Sequence, residues 1–208
     1  MRKGFGVCCI ILGICCLIAS VGLIAYNRWE EEHAQNASKN LLQDVQESIL
    51  DNTREESTPE DSSRDESVEI PVDIPQEMLT TQVDGYDCIG VLSIPVLELE
   101  LPVLTDWNYT KLKIAPCHYF GSYYEKNFVI AAHNYRSHFG RLSELQPKDL
   151  ILFTDISGTV YYYEVVLLET LPASATEEMI TSGFDLSLYT CTLGGSNRVT
   201  VRCNALEK

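Results

Sequence analysis

A chain of 208 residues with 15 Lys/Arg against 30 Asp/Glu, a formal charge of −15, has room for one ordinary domain with something attached, and it lacks the basic footprint that nucleic-acid binding needs. The charge is unevenly placed: residues 1–26 carry +2, residues 27–80 carry −11 and residues 81–208 carry −6. Eight cysteines divide in the same way, four in the apolar N-terminal run and four in the C-terminal part.

Phe5 to Tyr26 is a run of 22 residues without a charge. At about 1.5 Å per helical residue it spans the ~30 Å hydrocarbon core, and it exceeds the ~7 to 15 apolar residues of a cleaved signal peptide. The run reads as a single transmembrane anchor, with residues 1–27 forming the cytoplasmic tip and the span. Arg2 and Lys3 precede it, whereas Arg28 is followed by Glu30, Glu31 and Glu32, so the positive bias puts the N-terminus in the cytoplasm and everything after Tyr26 outside. Cys8, Cys9, Cys15 and Cys16 are read as small apolar residues of this helix. Ile14 before Cys15 argues against a lipid attachment site.

Residues 28–80 read as an acidic extracellular stalk. Leu41, Leu42, Val45 and Ile49 recur at helical spacing, which predicts a short amphipathic helix from about Ser38 to Leu50 with Ser38 as N-cap. Beyond it, "DNTREESTPEDSSRDESVEIPVDIP" is too poor in apolar surface to fold by itself. The anchor and stalk contain no candidate catalytic group, so residues 1 to about 75 are expected to supply location, and a fragment from about Thr80 is expected to be soluble and active. Asn36-Ala37-Ser38 and Asn108-Tyr109-Thr110 match the N-glycosylation pattern.

Residues 81–208 change character. "CIGVLSIPVLELELPVL" predicts a first strand ending near Pro95, then a half-buried one with Leu97, Leu99 and Leu101 on one face and Glu98 and Glu100 on the other. "NFVIAAH", "DLILFTD" and "TVYYYEVVLLE" continue the pattern, and short helices fit at Tyr109 to Ile114, Leu142 to Leu145 and Thr176 to Ile180. About seven short strands at this spacing predict a mainly β domain, a closed or nearly closed β-barrel with minor helices. The last pair is a hairpin in "SLYTCTLGGSNRVTVRC", and a turn within Gly194 to Asn197 sets Leu193 opposite Arg198 and Cys191 opposite Thr200. Arg198 then becomes the diagonal neighbour of Cys191 on the same face.

A thiol beside a guanidinium suggests nucleophilic chemistry. Cysteine attacks as the thiolate, and an unperturbed thiol is mostly protonated at neutral pH, so it needs a base or cation nearby. His118, His133 and His138 lie outside the stalk, and His133 ends the apolar run "FVIAAH", where a buried strand emerges into a polar loop. Arginine stays charged and cannot serve as the base. Aimed at the oxygen that becomes negative when a thiolate attacks a carbonyl, Arg198 acts as an oxyanion donor, worth on the order of 3 kcal/mol. Arg202 shares its face but lies beyond Thr200, away from the turn, and is the internal control for this reading of Arg198.

"AAHN", then "FGRLSEL", then "SLYTC" with an arginine seven residues on, resembles the sortase family of cysteine transpeptidases. The likeness runs from Gly90 to Val201, where "GVLSIPVLELELPVL" is similar to the family's first two barrel strands; Ser187 stands where the family motif begins with Thr. It implies an eight-stranded barrel in which Cys191 attacks a backbone carbonyl of a C-terminal sorting signal on a secreted protein. It implies too that His133 protonates the leaving amine and that Arg198 holds substrate and oxyanion. Asn134, Ser187, Leu188 and Thr190 are the implied substrate-binding residues. The amine that resolves the thioester is expected to come from a lipid-linked peptidoglycan precursor, and the enzyme to sit on the outer face of the membrane of a Gram-positive cell. The "HN" pair with its "FG" loop is similar to class B members, although the connection from Leu168 to Leu186 is short for them, and a class C assignment is disfavoured.

No cofactor is expected. Glu177 and Glu178 lie in the connection where some relatives bind calcium. A cell-wall cysteine peptidase that transfers to water is an alternative, although wall hydrolases of that kind have Cys before His. A non-catalytic module binding metal through Cys117, His118, His133 and His138 is another, but the spacings match no paired-ligand pattern. A disulfide-stapled surface domain is the third, with the state of Cys88, Cys117 and Cys203 left open.

Overall fold

The computed structural model describes residues 2–56 and 77–206, with side chains from 10 to 54 and from 77 to 206. Most of the acidic segment expected as an unfolded stalk lies outside these residues, as do the side chains of Cys8 and Cys9.

The first element is one helix, α1, from Arg2 to Glu56. No proline occurs before Pro59, and residues 27–37 are rich in Glu, Ala, Gln and Asn without a glycine. Nothing therefore breaks the helix between the apolar run and the amphipathic stretch. Ser38 is accordingly not an N-cap; it is buried in mid-helix, its hydroxyl without a hydrogen-bond partner among the described residues. Ile10, Leu12, Leu17, Ile18, Val21, Leu23 and Ile24 are each more than half exposed, an uncovered apolar cylinder of the kind a bilayer covers. One helix among the described residues is long and apolar enough to cross a membrane.

Past Trp29 the helix acquires a buried side. Ala34, Ser38, Leu41, Val45 and Ile49 form a stripe, and Leu41, Val45 and Ile49 pack on Cys88, Val91, Leu104, Ala115, Cys117 and Ile156. Asn52 Nδ2 donates to the Ile156 carbonyl at 3.1 Å, and the hydroxyls of Ser48 and Thr81 meet at 3.0 Å. The helical stretch expected only to supply location is thus docked on the folded domain, and a fragment from Thr80 would leave an apolar face uncovered.

After a short strand β1 (Thr81–Val83), the domain is built from β2 (Tyr86–Ile94), β3 (Leu99–Leu104), β4 (Cys117–Phe120), β5 (Phe128–Ala131), β6 (Leu150–Asp155), β7 (Val160–Pro172), β8 (Leu186–Cys191) and β9 (Asn197–Ala205). The order β2-β3-β4-β5-β8-β9-β7-β6 closes through pairing of β6 with β2, which makes a barrel of eight strands, with β1 hydrogen-bonded outside it. β3 with β4 and β5 with β8 are parallel; the other neighbours are antiparallel. Gly90 marks the seam: with φ +150, a Cβ there would fall 2.1 Å from the Thr154 carbonyl oxygen, so only glycine lets the two strands meet.

Alternating inward residues fill the barrel, among them Ile89, Leu92, Ile94, Val103, Phe128, Ile130, Phe153, Leu186, Leu188 and Val201. The expected strand from Leu97 begins at Leu99 instead. Pro95 opens a 3-10 turn through Leu97 and Glu98 adopts a left-handed conformation with φ 52, which ends β2 and reorients the chain into β3. The three predicted short helices are present as 3-10 turns at Lys111–Lys113 and Leu142–Glu144 and as α2 (Thr176–Ile180).

Candidate active site

Three neighbouring strands bring the predicted residues together. β5 runs parallel to β8 with Ala131 beside Tyr189. The pairing extends beyond the strand end: Ala132 N donates to the Tyr189 carbonyl at 3.2 Å, and Thr190 Oγ1 donates to the Ala132 carbonyl at 2.9 Å. Continuing that register by two residues sets the His133 backbone beside Cys191. On the other flank, β9 is antiparallel to β8 and Arg198 lies directly opposite Cys191.

This corrects the expected diagonal placement. The turn is centred between Gly194 and Gly195, both at positive φ, one residue earlier than a turn within Gly194 to Asn197 would be. Thr192 closes it: its N–H donates to the Asn197 carbonyl at 3.0 Å, its Oγ1 accepts the Asn197 N–H at 3.2 Å, and its own carbonyl accepts the Gly195 N–H at 2.8 Å. Shifting the centre by one residue slides the register by two. Faces are conserved, and the cysteine and arginine move from diagonal neighbours to a direct pair, where Cβ atoms stand about 4.5–5.5 Å apart.

Cys191 is half-buried and its thiol is free. Cys88, Cys117 and Cys203 are also free but wholly buried, and burial pushes each thiol up to about 12. They are inert at neutral pH, and no disulfide staples the described residues. Arg198 donates from Nη1 to the carbonyls of Gly195 at 3.0 Å and Asn197 at 3.2 Å, which bends its guanidinium along the turn. No carboxylate pairs with it among the described residues, so its charge is uncommitted.

The His133 loop is compact. Phe139 N donates to the His133 carbonyl, and His138 N and Gly140 N both donate to the Tyr135 carbonyl. A side chain at residue 140 would fall 2.4 Å from the Asn134 carbonyl oxygen, so glycine is required for the loop to close. The His133 imidazole stacks on the Tyr135 ring, centroids 4.5 Å apart and planes 13° from parallel, and Asn134 Oδ1 lies 3.4 Å from Nδ1. Behind it His138 is fully buried, and neither ring nitrogen has a partner among the described residues. Burial, then the neighbouring His133 charge, lowers its pKa to about 4.

Cys191 sits between two hollows. One, of about 230 Å³, is shared with Arg198 and walled by Trp107, Tyr119, Met179 and Tyr189. The other, of about 440 Å³, is bordered by Asn134, Ser143, Thr190 and Thr192. Of the expected substrate-binding residues, Asn134 and Thr190 thus border the second hollow. Ser187 and Leu188 do not face solvent: Leu188 is in the barrel core, and Ser187 Oγ accepts Arg202 Nη1 at 2.8 Å.

Arg202, the control for Arg198, has a structural role of its own. It is 1% exposed, pairs through Nε with Glu169 at 2.7 Å, and donates to the carbonyls of Met179 at 3.2 Å and Glu178 at 2.8 Å. It therefore ties α2, and with it the Met179 wall, to the barrel. In "VTVRC" the arginine alternates with apolar residues as a solvent-facing one would, so the sequence carried no sign of this buried clamp. The aromatic wall and Tyr135 gave no sign either, because their convergence depends on non-local pairing.

The four residues of the metal-module reading do not converge. Cys117 lies under α1, His118 is held between the carbonyls of Thr105 and Gly121, and no group of three or more metal-ligating side chains occurs among the described residues. Glu177 and Glu178 share the first turn of α2. Two adjacent carboxylates do not fit the six to eight oxygens calcium takes, and no step is assigned to it.

Comparison with known proteins agrees with this geometry. A family model described as the sortase domain matches residues 92–206. No curated protein gives a significant match. Among solved structures, sortase A from Corynebacterium diphtheriae is similar at 22% identity with a TM-score of 0.52, over 59% of this chain and 62% of that one. The Clostridium perfringens sortase D5 transpeptidase is similar at 17% identity with a TM-score of 0.59, over 83% and 99%. Streptococcus pneumoniae sortase C is similar at 19% identity with a TM-score of 0.55, over 83% and 97%. At such identities these likenesses speak for the barrel and not for a subclass. The family match, however, spans more than half of the sequence, and the chain belongs to the sortase family of cysteine transpeptidases.

Proposed function

We propose that this chain is a membrane-anchored transpeptidase that cleaves a C-terminal sorting signal of secreted proteins and joins the new carboxyl end to an amine. The observation that carries the reading is that His133 just past the end of β5, Cys191 on β8 and Arg198 on β9 stand side by side along one barrel wall. The Cys191 thiolate attacks the carbonyl carbon of the scissile peptide bond, and Arg198 donates to the oxygen as it becomes negative. His133 gives its proton to the departing amine as the C–N bond breaks, leaving a thioester on Cys191. An acceptor amine then attacks the thioester, loses its proton to His133 and expels the Cys191 thiolate, which restores the starting pair.

The two hollows beside Cys191 support separate places for the signal and the acceptor. The aromatic one shared with Arg198 suits the apolar part of a signal, and the one near Asn134, which Ser143 and Thr192 also border, offers an amide and hydroxyls to the incoming amine. The uncovered apolar part of α1 supports an anchor, and Arg2 and Lys3 support a cytoplasmic N-terminus, with the catalytic domain outside. A lipid-linked peptidoglycan precursor is the proposed acceptor.

Incubation of the protein with pentapeptide signals and a graded concentration of an amine tests the reading. Ligated product should rise with amine at the expense of the free acid. A free acid yield indifferent to amine would make the enzyme a peptidase instead.

A further inference from the structure

The turn of α1 that follows the apolar span touches the loop that carries His133. Glu31 Oε1 accepts the Arg136 backbone N–H at 2.8 Å, 105 residues away in sequence. One residue earlier, Glu30 pairs with Lys113 at 2.5 Å, and burial followed by the nearby Glu30 charge raises the pKa of the Tyr135 phenol. Tyr135 is the residue stacked on the His133 imidazole. Within the loop, the N–H groups of His138, Phe139 and Gly140 are satisfied by the carbonyls of Tyr135 and His133, whereas the Arg136 N–H is satisfied by α1. A loop carrying a catalytic side chain is therefore closed on one side by its own backbone and on the other by a helix that begins at residue 2.

We propose that Glu31 is a positioning residue: it fixes the Arg136 backbone, and through the adjoining Tyr135 ring it holds the His133 imidazole in one orientation. The membrane-proximal turn of α1 then contributes to the reaction, and removing it impairs chemistry as well as location. The inference rests on the catalytic role proposed for His133, and it is tested so that the two can fail separately.

The full chain in nanodiscs, labelled with 13C at histidine Cε1, has four histidines, and His133→Gln identifies the resonance of interest. Glu31→Ala should displace that resonance and slow single-turnover acylation of Cys191 about ten- to a hundredfold, as expected for a displaced catalytic group, with KM for the signal peptide and the melting temperature unchanged. Glu31→Gln, whose amide oxygen still accepts the Arg136 N–H, should restore both. Gln46→Ala, on the same helix but away from the loop, should change neither. A wild-type resonance and rate in Glu31→Ala overturn the proposal, as does a Glu31→Gln no better than the alanine variant. If the wild type fails to acylate while the resonance still moves in Glu31→Ala and returns in Glu31→Gln, the positioning stands and the transpeptidase reading falls.

Discussion

Replacing Arg202 with methionine removes a side chain that is 1% exposed and held by four partners: Glu169 at 2.7 Å, Ser187 Oγ at 2.8 Å, and the carbonyls of Glu178 at 2.8 Å and Met179 at 3.2 Å. Methionine fills much of the space, so the loss is of charge and hydrogen bonds rather than of volume. It strands the Glu169 carboxylate, whose side chain is 31% exposed and can partly recover water. The two α2 carbonyls and the Ser187 hydroxyl have less access to it. Breaking one side of a buried ion pair costs about 3–5 kcal/mol, and the partial exposure of Glu169 favours the lower end, about 3 kcal/mol. With a urea m-value of about 2 kcal/mol/M, the midpoint should fall by about 1.5 M. Equilibrium unfolding followed by tryptophan fluorescence measures this. Arg202→Met combined with Glu169→Gln should lose much less than the two single losses added, because each single change already strands the other partner. A loss below about 1 kcal/mol, the range of an exposed salt bridge, would refute the buried clamp.

Arg198 should behave in the opposite way: Arg198→Ala should slow acylation about a hundredfold to a thousandfold while leaving the urea midpoint in place, and Arg198→Lys should fall between, since it keeps the charge and loses the planar fork of donors. His138 is held neutral by burial, with its pKa lowered to about 4. The unfolded chain takes up that proton near pH 6.5, so this group's contribution to stability is complete above that pH and is lost as pH falls towards 4. His138→Leu should flatten the acid limb of a melting-temperature profile between pH 6.5 and 4, and a limb of unchanged slope would show that the buried imidazole is not its source. A fragment from residue 80 should be less stable than one from residue 27 by on the order of 5 kcal/mol, from uncovering the sites of three buried aliphatic side chains. Equal urea midpoints would mean that α1 rests on the barrel without stabilising it.

The barrel was largely legible because its strands are local alternations. "NFVIAAH" and "DLILFTD" announced β5 and β6 within a residue or two, and the eight-strand closure followed from the family resemblance rather than from counting. Cys191, His133 and Arg198 were readable because each carries its chemistry in its own type and stands at a strand end. What escaped depended on small local shifts or long-range packing. The hairpin centre moved by one residue because Thr192 caps the turn with its side chain, which a count of turn formers does not weigh. Leu97 alternates as a strand residue would, yet Pro95 commits it to a 3-10 turn. Leu41, Val45 and Ile49 correctly signalled an amphipathic helix, but only the structure supplies the barrel face they cover. The sequence placed Arg202 on the face of Arg198, but only the structure brings α2 over that face to bury it.

The most direct test of the central claim is to trap the acyl-enzyme. A signal peptide ester mixed with the full protein and quenched in acid should leave one acyl group on the protein, and peptide mapping by mass spectrometry should place it on Cys191. The buried thiols of Cys88, Cys117 and Cys203 should remain unmodified, and Cys191→Ala should carry no acyl group while keeping the wild-type melting temperature. An acyl group on any other residue, or undiminished turnover by Cys191→Ala, would contradict the account.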